Sequence, residues 1–158
     1  MGYENAVIGI VQLVVSIVLA VVALYIGFSV LGKITKGIDE QKEIAKGNAA
    51  VGILVASVFI AIAIVVQSGV AGVSSGISRM ADDPFALVAS IFQLILGIVL
   101  AIAAIYLALN ILDKLTKGID EFEELKKGNV AVALEMAGVI IAVAIIVQSG
   151  VLGITAGL

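Results

Sequence analysis

Four apolar stretches, Ala6 to Leu31, Ala49 to Ile77, Phe85 to Leu112 and Val130 to Leu158, occupy most of this chain and decide what it can fold into. Each exceeds the roughly 20 residues that a helix needs to cross a hydrocarbon core of about 30 Å. None shows the polar-apolar alternation over about 10 residues that marks a lipid-facing barrel strand, and a helix satisfies its backbone groups within one segment. Only 13% of the 158 residues are charged, against roughly 25% in soluble domains. The expectation is an all-α integral membrane protein with four transmembrane helices, at about 6–31, 49–77, 85–112 and 130–158. The first stretch is too long and too weakly basic at its start for a cleavable signal peptide, so it is expected to remain in the mature protein.

The four stretches are two copies of one unit. "TKGIDE" at Thr35 returns at Thr116, "KGN" at Lys46 returns at Lys127, and "IVVQSGV" at Ile64 is answered by "IIVQSGV" at Ile145, always 81 residues on. Residues 1–77 laid on 82–158 without a gap match at 37 of 77 positions, an internal duplication. Each unit, 1–81 and 82–158, is read as one helical hairpin. Two crossings return the chain to its starting side, so the second unit enters in the same orientation. That makes a parallel repeat with a pseudo-twofold axis along the membrane normal. "SSGISRMADDP", from Ser74 to the single proline Pro84, joins the units, with Pro84 near the start of the third helix, where its missing N–H costs nothing.

Lysine placement predicts orientation. Lys33, Lys36, Lys42 and Lys46 flank the first loop and Lys114, Lys117, Lys126 and Lys127 the third, whereas the middle loop holds only Arg79. By the positive-inside rule, loops 33–48 and 113–129 are cytoplasmic and both termini lie outside. In "KGIDEFEELKKGN", Ile119, Phe122 and Leu125 recur every three residues, the spacing of a short amphipathic helix at the interface. Gly128 is expected to end that helix in a left-handed conformation and Asn129 to cap the next one.

Polar residues inside the apolar stretches fall on levels. Gln12, Gln67, Gln93 and Gln148 each lie roughly 28–32 Å from the inner helix ends at about 1.5 Å per residue. Amides at that depth either hydrogen-bond across helices or line a wet vestibule. Gly69, Gly72 and Gly76, with Gly150, Gly153 and Gly157, provide faces for close helix packing. Glu135 breaks the symmetry, because its repeat partner is Leu54. It lies roughly 9 Å into its helix, and Tyr106 lies roughly 12 Å from the same side, at about 1.5 Å per residue. That leaves a hydrogen bond between them geometrically open. An ionisable group within a membrane is a functional candidate, and desolvation there favours its protonated form. Against this stands a depth shallow enough for water, headgroups or the stems of Lys126 and Lys127.

The chain has no Cys and no His. Thiol nucleophiles, zinc sites and imidazole chemistry are thereby excluded. No nucleophile stands with its base, no phosphate loop follows a strand, and no basic groove carries aromatics for nucleic acid, so neither an enzyme nor a nucleic-acid binder is expected, and no cofactor or metal.

A hairpin whose loop reads "GIDE" then "KGN", whose second helix ends "QSGV", and which is tandemly duplicated resembles the membrane family of domain of unknown function 350, including the YjfL-like inner-membrane proteins. The resemblance covers nearly the whole chain. It implies a prokaryotic cytoplasmic-membrane protein of four helices and brings no activity or catalytic residues. A second resemblance, to the duplicated proteolipid rotor subunit of V-type ATPases, fails because the stretches around Val14 and Leu96 lack closely repeated glycines and Glu135 lies nearer one end than mid-membrane.

Two functional readings remain open. One is a homo-oligomer in the bilayer with a path for protons, cations or a small solute, with Glu135 and Tyr106 as its candidate site and the four glutamines as its outer polar layer. The other is a structural or accessory protein that packs into assemblies or docks a cytoplasmic partner on its repeated loops.

Overall fold

The computed structural model describes residues 2–35, 37–80, 82–116 and 118–156. Its elements run α1 (Gly2–Ile34), α2 (Glu40–Ala45), α3 (Ala49–Arg79), α4 (Phe85–Leu115), α5 (Glu121–Lys126) and α6 (Val130–Ala156). Among the described residues α1, α3, α4 and α6 are long and apolar enough to span a bilayer, and there is no strand. The protein is therefore a multi-pass membrane protein whose helices contact lipid. Each long helix runs a few residues beyond its predicted span at one or both ends except α6, where Gly157 and Leu158 lie outside the described residues. Lys36 and Lys117 of the lysine count also lie outside them.

Local signals in the sequence set the helix ends. Asn48 accepts hydrogen bonds from the backbone N–H of Ala50 (3.1 Å) and Val51 (3.2 Å) to start α3. Asn129 does the same for Ala131 (3.1 Å) and Val132 (3.4 Å) in α6. An asparagine side chain in this place satisfies N–H groups that have no partner within the helix. Gly47 and Gly128, at φ 83° and 82°, make the left-handed step that lets α2 and α5 end and the next helix begin. Pro84 directly precedes α4 at φ −61°.

Packing is unequal. In α3, 56% of the most apolar window is buried, in α4 and α6 33%, and in α1 only 6%. Helix α3 is the hub, touching α1, α4 and α6, which also packs on α4; α1 leans almost wholly on α3, where Phe28 stacks on Phe59 at 5.7 Å between ring centroids. Leu54, Ala61, Val65, Ile140 and Ala144, each at most 1% exposed, fill the seam of α3 with its neighbours.

The predicted pseudo-twofold axis is corrected by this arrangement. A closed two-fold would match the extensive α3–α4 contact with an equal α1–α6 contact, and among the described residues none of that extent exists. The second repeat instead stacks on one side of the first, as successive units of an open array do. Leu54, Ala61 and Val65 on α3 are buried, while their counterparts on α6, Glu135, Ala142 and Ile146, are exposed.

Candidate functional site

The acid cluster starts from a threonine at the end of α4. The Thr116 hydroxyl donates to the Leu112 carbonyl at 2.8 Å and also meets Oε1 of Glu121. Between them Gly118, at φ 99°, turns the chain back. Asp120 then caps α5 by accepting from the Glu123 N–H at 3.0 Å. Phe122 and Leu125 are 6% and 0% exposed, and docking them fixes the rotation of α5, which turns its first residue, Glu121, inward at 1% exposure. Ile119, the first residue of the predicted apolar stripe, is exposed instead. The first repeat builds the same frame: Thr35 donates to the Leu31 carbonyl at 2.9 Å and contacts Glu40, with Asp39 capping α2 and Gly37 at φ 74°.

Around the buried carboxyl, the second repeat differs by two acids whose charges act on it. Gly32 of the first repeat corresponds to Asp113, and Leu54 to Glu135. Burial pushes the Glu121 carboxyl above the ordinary value of 4.5, and the charges of Asp113 and Glu135, together with a side-chain hydrogen bond from Asp113, push it further; its own backbone N–H opposes them. A hydrogen bond between two carboxyl groups needs a proton on one of them. The Glu121 Oε2 is buried without a hydrogen-bond partner. The Glu121 carboxyl, buried beside the end of α4, thus lies in the field of two further acids, Asp113 and the more remote Glu135. Among the described residues no group of acids has the geometry to hold a metal ion.

Neighbouring cations are committed elsewhere. Lys126 pairs with Glu123 at 2.8 Å and Lys127 with Glu124 at 2.7 Å, each three residues along the chain, so neither lysine reaches Glu135 as the sequence allowed. Hydrogen bonds from Asn129 and Lys127 hold the Glu124 carboxyl below its usual range.

Glu135 itself is exposed on α6. Tyr106, 49% exposed on α4, lines a groove with Val30 and Lys33 of α1, and no hydrogen bond joins it to Glu135. The four glutamines differ in their surroundings. Gln12 donates to the Ser74 carbonyl (3.1 Å) and the Ser78 hydroxyl (2.9 Å), an interhelical tie between α1 and α3. Gln93 is buried beside Gly72, Gln67 is exposed, and Gln148 is half-buried. Gly69 and Gly76 pack directly on α4, whereas Gly150 and Gly153 face open space and Gly157 lies outside the described residues.

Sequence reasoning singled out Glu135 and missed Asp113 and Glu121. The missing signal was in the repeat itself: Asp113 is, like Glu135, an acid that the first unit lacks, and both departures flank the shared Thr-Glu frame.

A family model described as Domain of Unknown Function (DUF350) matches the chain twice, over residues 5–99 and 86–156. No curated protein and no solved structure matches it.

Proposed function

The chain belongs to the Domain of Unknown Function (DUF350) family, matched by both of its halves, and from that premise and the acid cluster we propose a homo-oligomeric membrane protein whose second repeat carries a proton-binding site on an ion path. The observation that carries the reading is Glu121: 1% exposed, with an unpartnered Oε2 and two acids beside it that the first repeat lacks. A carboxyl held neutral by burial and by like charges takes up and releases protons nearer physiological pH than a free one. Glu135 is the exposed member of the group, and the glutamines are unequally placed, Gln67 exposed and Gln93 buried. The path is therefore placed between protomers, with Glu135 at its wall and Glu121 as the store behind it. Tyr106 has no part in this site. The protein is read as non-enzymatic, in a prokaryotic cytoplasmic membrane, with the lysine-rich loops inside and both termini outside.

The test is flux. Purified protein in liposomes loaded with a pH-sensitive dye is given a proton gradient, and wild type is compared with Glu135→Gln and Glu121→Gln. Dissipation by the wild type, lost in both variants, supports the reading. Equal flux in all three, or none in an intact wild-type oligomer, sinks it.

The second reading, a docking platform, draws on the loops. Asp120, Glu123, Glu124 and Lys127 border a polar recess of about 230 Å³ with Asn129. A partner bound there would leave flux absent and would be lost on reversing these charges.

A further inference from the structure

The interface between the two repeats is present a second time in this chain with nothing on it. Inside the protein, Val65 of α3 (1% exposed) seats over Gly97 of α4 beside Val151 of α6: a Cβ on Gly97 would stand 3.6 Å from Val65 and 3.4 Å from Val151. Val65 is a knob, and the α4–α6 groove is its hole. Displaced by one repeat, the knob becomes Ile146 and the walls of the hole become Ser16 and Val70. Ile146 is 70% exposed. Ser16 and Val70, with Ala20 and Ala63, line an open apolar groove of about 350 Å³ between α1 and α3.

Other contacts repeat the pattern. Gly69 packs against Leu94, which is 4% exposed, whereas the counterpart Gly150 faces open space and Leu13, the counterpart of Leu94, is 59% exposed. Asn48 donates to the Leu125 carbonyl at 2.9 Å, and the Leu125 side chain is fully buried; Ile44, its counterpart on α2, is 44% exposed. Among the described residues none of α6 lines the α1–α3 groove, Ile146 is left exposed, and α1 and α6 share no extensive contact, so knob and hole do not meet within a chain. In a bilayer apolarity alone gives such a face no reason to associate, but complementary packing does, and glycine-containing faces are where helices come close.

We infer that α6 of one copy docks into the α1–α3 groove of a second copy, Ile146 entering between Ser16 and Val70, so that chains join head to tail in the geometry that already joins the two repeats. This rests on the homo-oligomer reading above and gives it an interface. The contact is heterologous, and it closes into a ring or continues as an array according to the angle per repeat. It also covers Glu135, which shares the exposed face of α6 with Ala142 and Ile146, placing that acid at a subunit boundary.

The chain has no cysteine, so introduced thiols report only on themselves. Ile146→Cys and Ser16→Cys variants, both at positions outside the protomer core, are mixed in liposomes and oxidised, and the mass of each variant in mild detergent is measured by light scattering. Expected is a cross-linked dimer from the mixture, none from either variant alone, and a ladder from the double variant. An Ile146→Cys variant that links to itself, or an oligomer that forms without the mixed link, overturns this interface and leaves the homo-oligomer standing. A monomeric mass with no link overturns both.

Discussion

The Asn48 side-chain amide spans the two repeats: its oxygen caps α3 while its nitrogen donates to the carbonyl of Leu125, 77 residues away, at 2.9 Å. Asn129 caps α6 in the same way, but its nitrogen reaches only the Glu124 carboxylate of its own loop, at 2.8 Å. Truncating either asparagine loses a cap worth about 1 kcal/mol. Only at position 48 does truncation also remove a hydrogen bond between the repeats, worth about 0.5–1.5 kcal/mol because the Leu125 carbonyl keeps the Gly128 N–H at 3.0 Å. Asn48→Ala is therefore expected to cost about 1.5–2.5 kcal/mol and Asn129→Ala about 1 kcal/mol, from these two figures together. Denaturant titration in a detergent that keeps the chain monomeric checks this; equal losses would count against it.

Gly76 sits against α4 so closely that a Cβ there would stand 3.0 Å from both the Ala86 carbonyl oxygen and the Leu87 Cα, and 2.7 Å from the Ser90 hydroxyl. Backbone cannot swing aside as a side-chain tip does, so Gly76→Ala forces α3 and α4 apart at a cost of about 1–3 kcal/mol. Gly150→Ala meets open space. In a monomer it gains the helix preference of alanine over glycine, up to about 1 kcal/mol. The pair has opposite expected signs on monomer stability, readable in one thermal-melt comparison.

These contrasts show what the sequence could and could not reveal. The helices, their caps and the glycine turns were legible because each depends on local chemistry: apolar length, an asparagine before a helix, a glycine where φ is positive. The repeat was legible as identity at a fixed offset. Which face each copy buries was not, because Val65 and Ile146 are equally apolar and only the one-sided stacking of the second unit leaves the first at 1% and the second at 70% exposure. The two-fold expectation failed for the same reason. Glu135 stood out because it interrupts an apolar run, while Glu121 was hidden among the loop's other acids until α5 was seen to turn it inward.

Gly128, at φ 82°, ends α5 so that Asn129 can start α6. An L residue in the left-handed region costs roughly 1–2 kcal/mol. Gly128→Ala is expected to lose that amount and to loosen α5, raising amide exchange at Phe122 and Leu125 ahead of the long helices. Gly52→Ala, in a helix with open space at its Cβ, is the control and is expected not to destabilise.

The raised pKa of Glu121 makes α5 docking pH-dependent with a definite sign. The folded state holds this proton more tightly than the unfolded chain, where the carboxyl titrates near 4.5. Stability from this group is thus complete below the ordinary value and is lost as pH rises through the raised one, because between them unfolding releases a proton. The slope within that window is at most about 1.4 kcal/mol per pH unit for one group. The Thr116 hydroxyl touches the carboxyl, and the charges that raise it, Asp113 from α4 and Glu135 from α6, are both negative, so neither reverses the sign. Glu121→Gln keeps an oxygen for Thr116 and cannot ionise. Its α5 amides are expected to exchange at a rate set only by intrinsic chemistry across the window, while those of the wild type gain excess exchange as pH rises. Parallel profiles for the two proteins would show that Glu121 is not the titrating group.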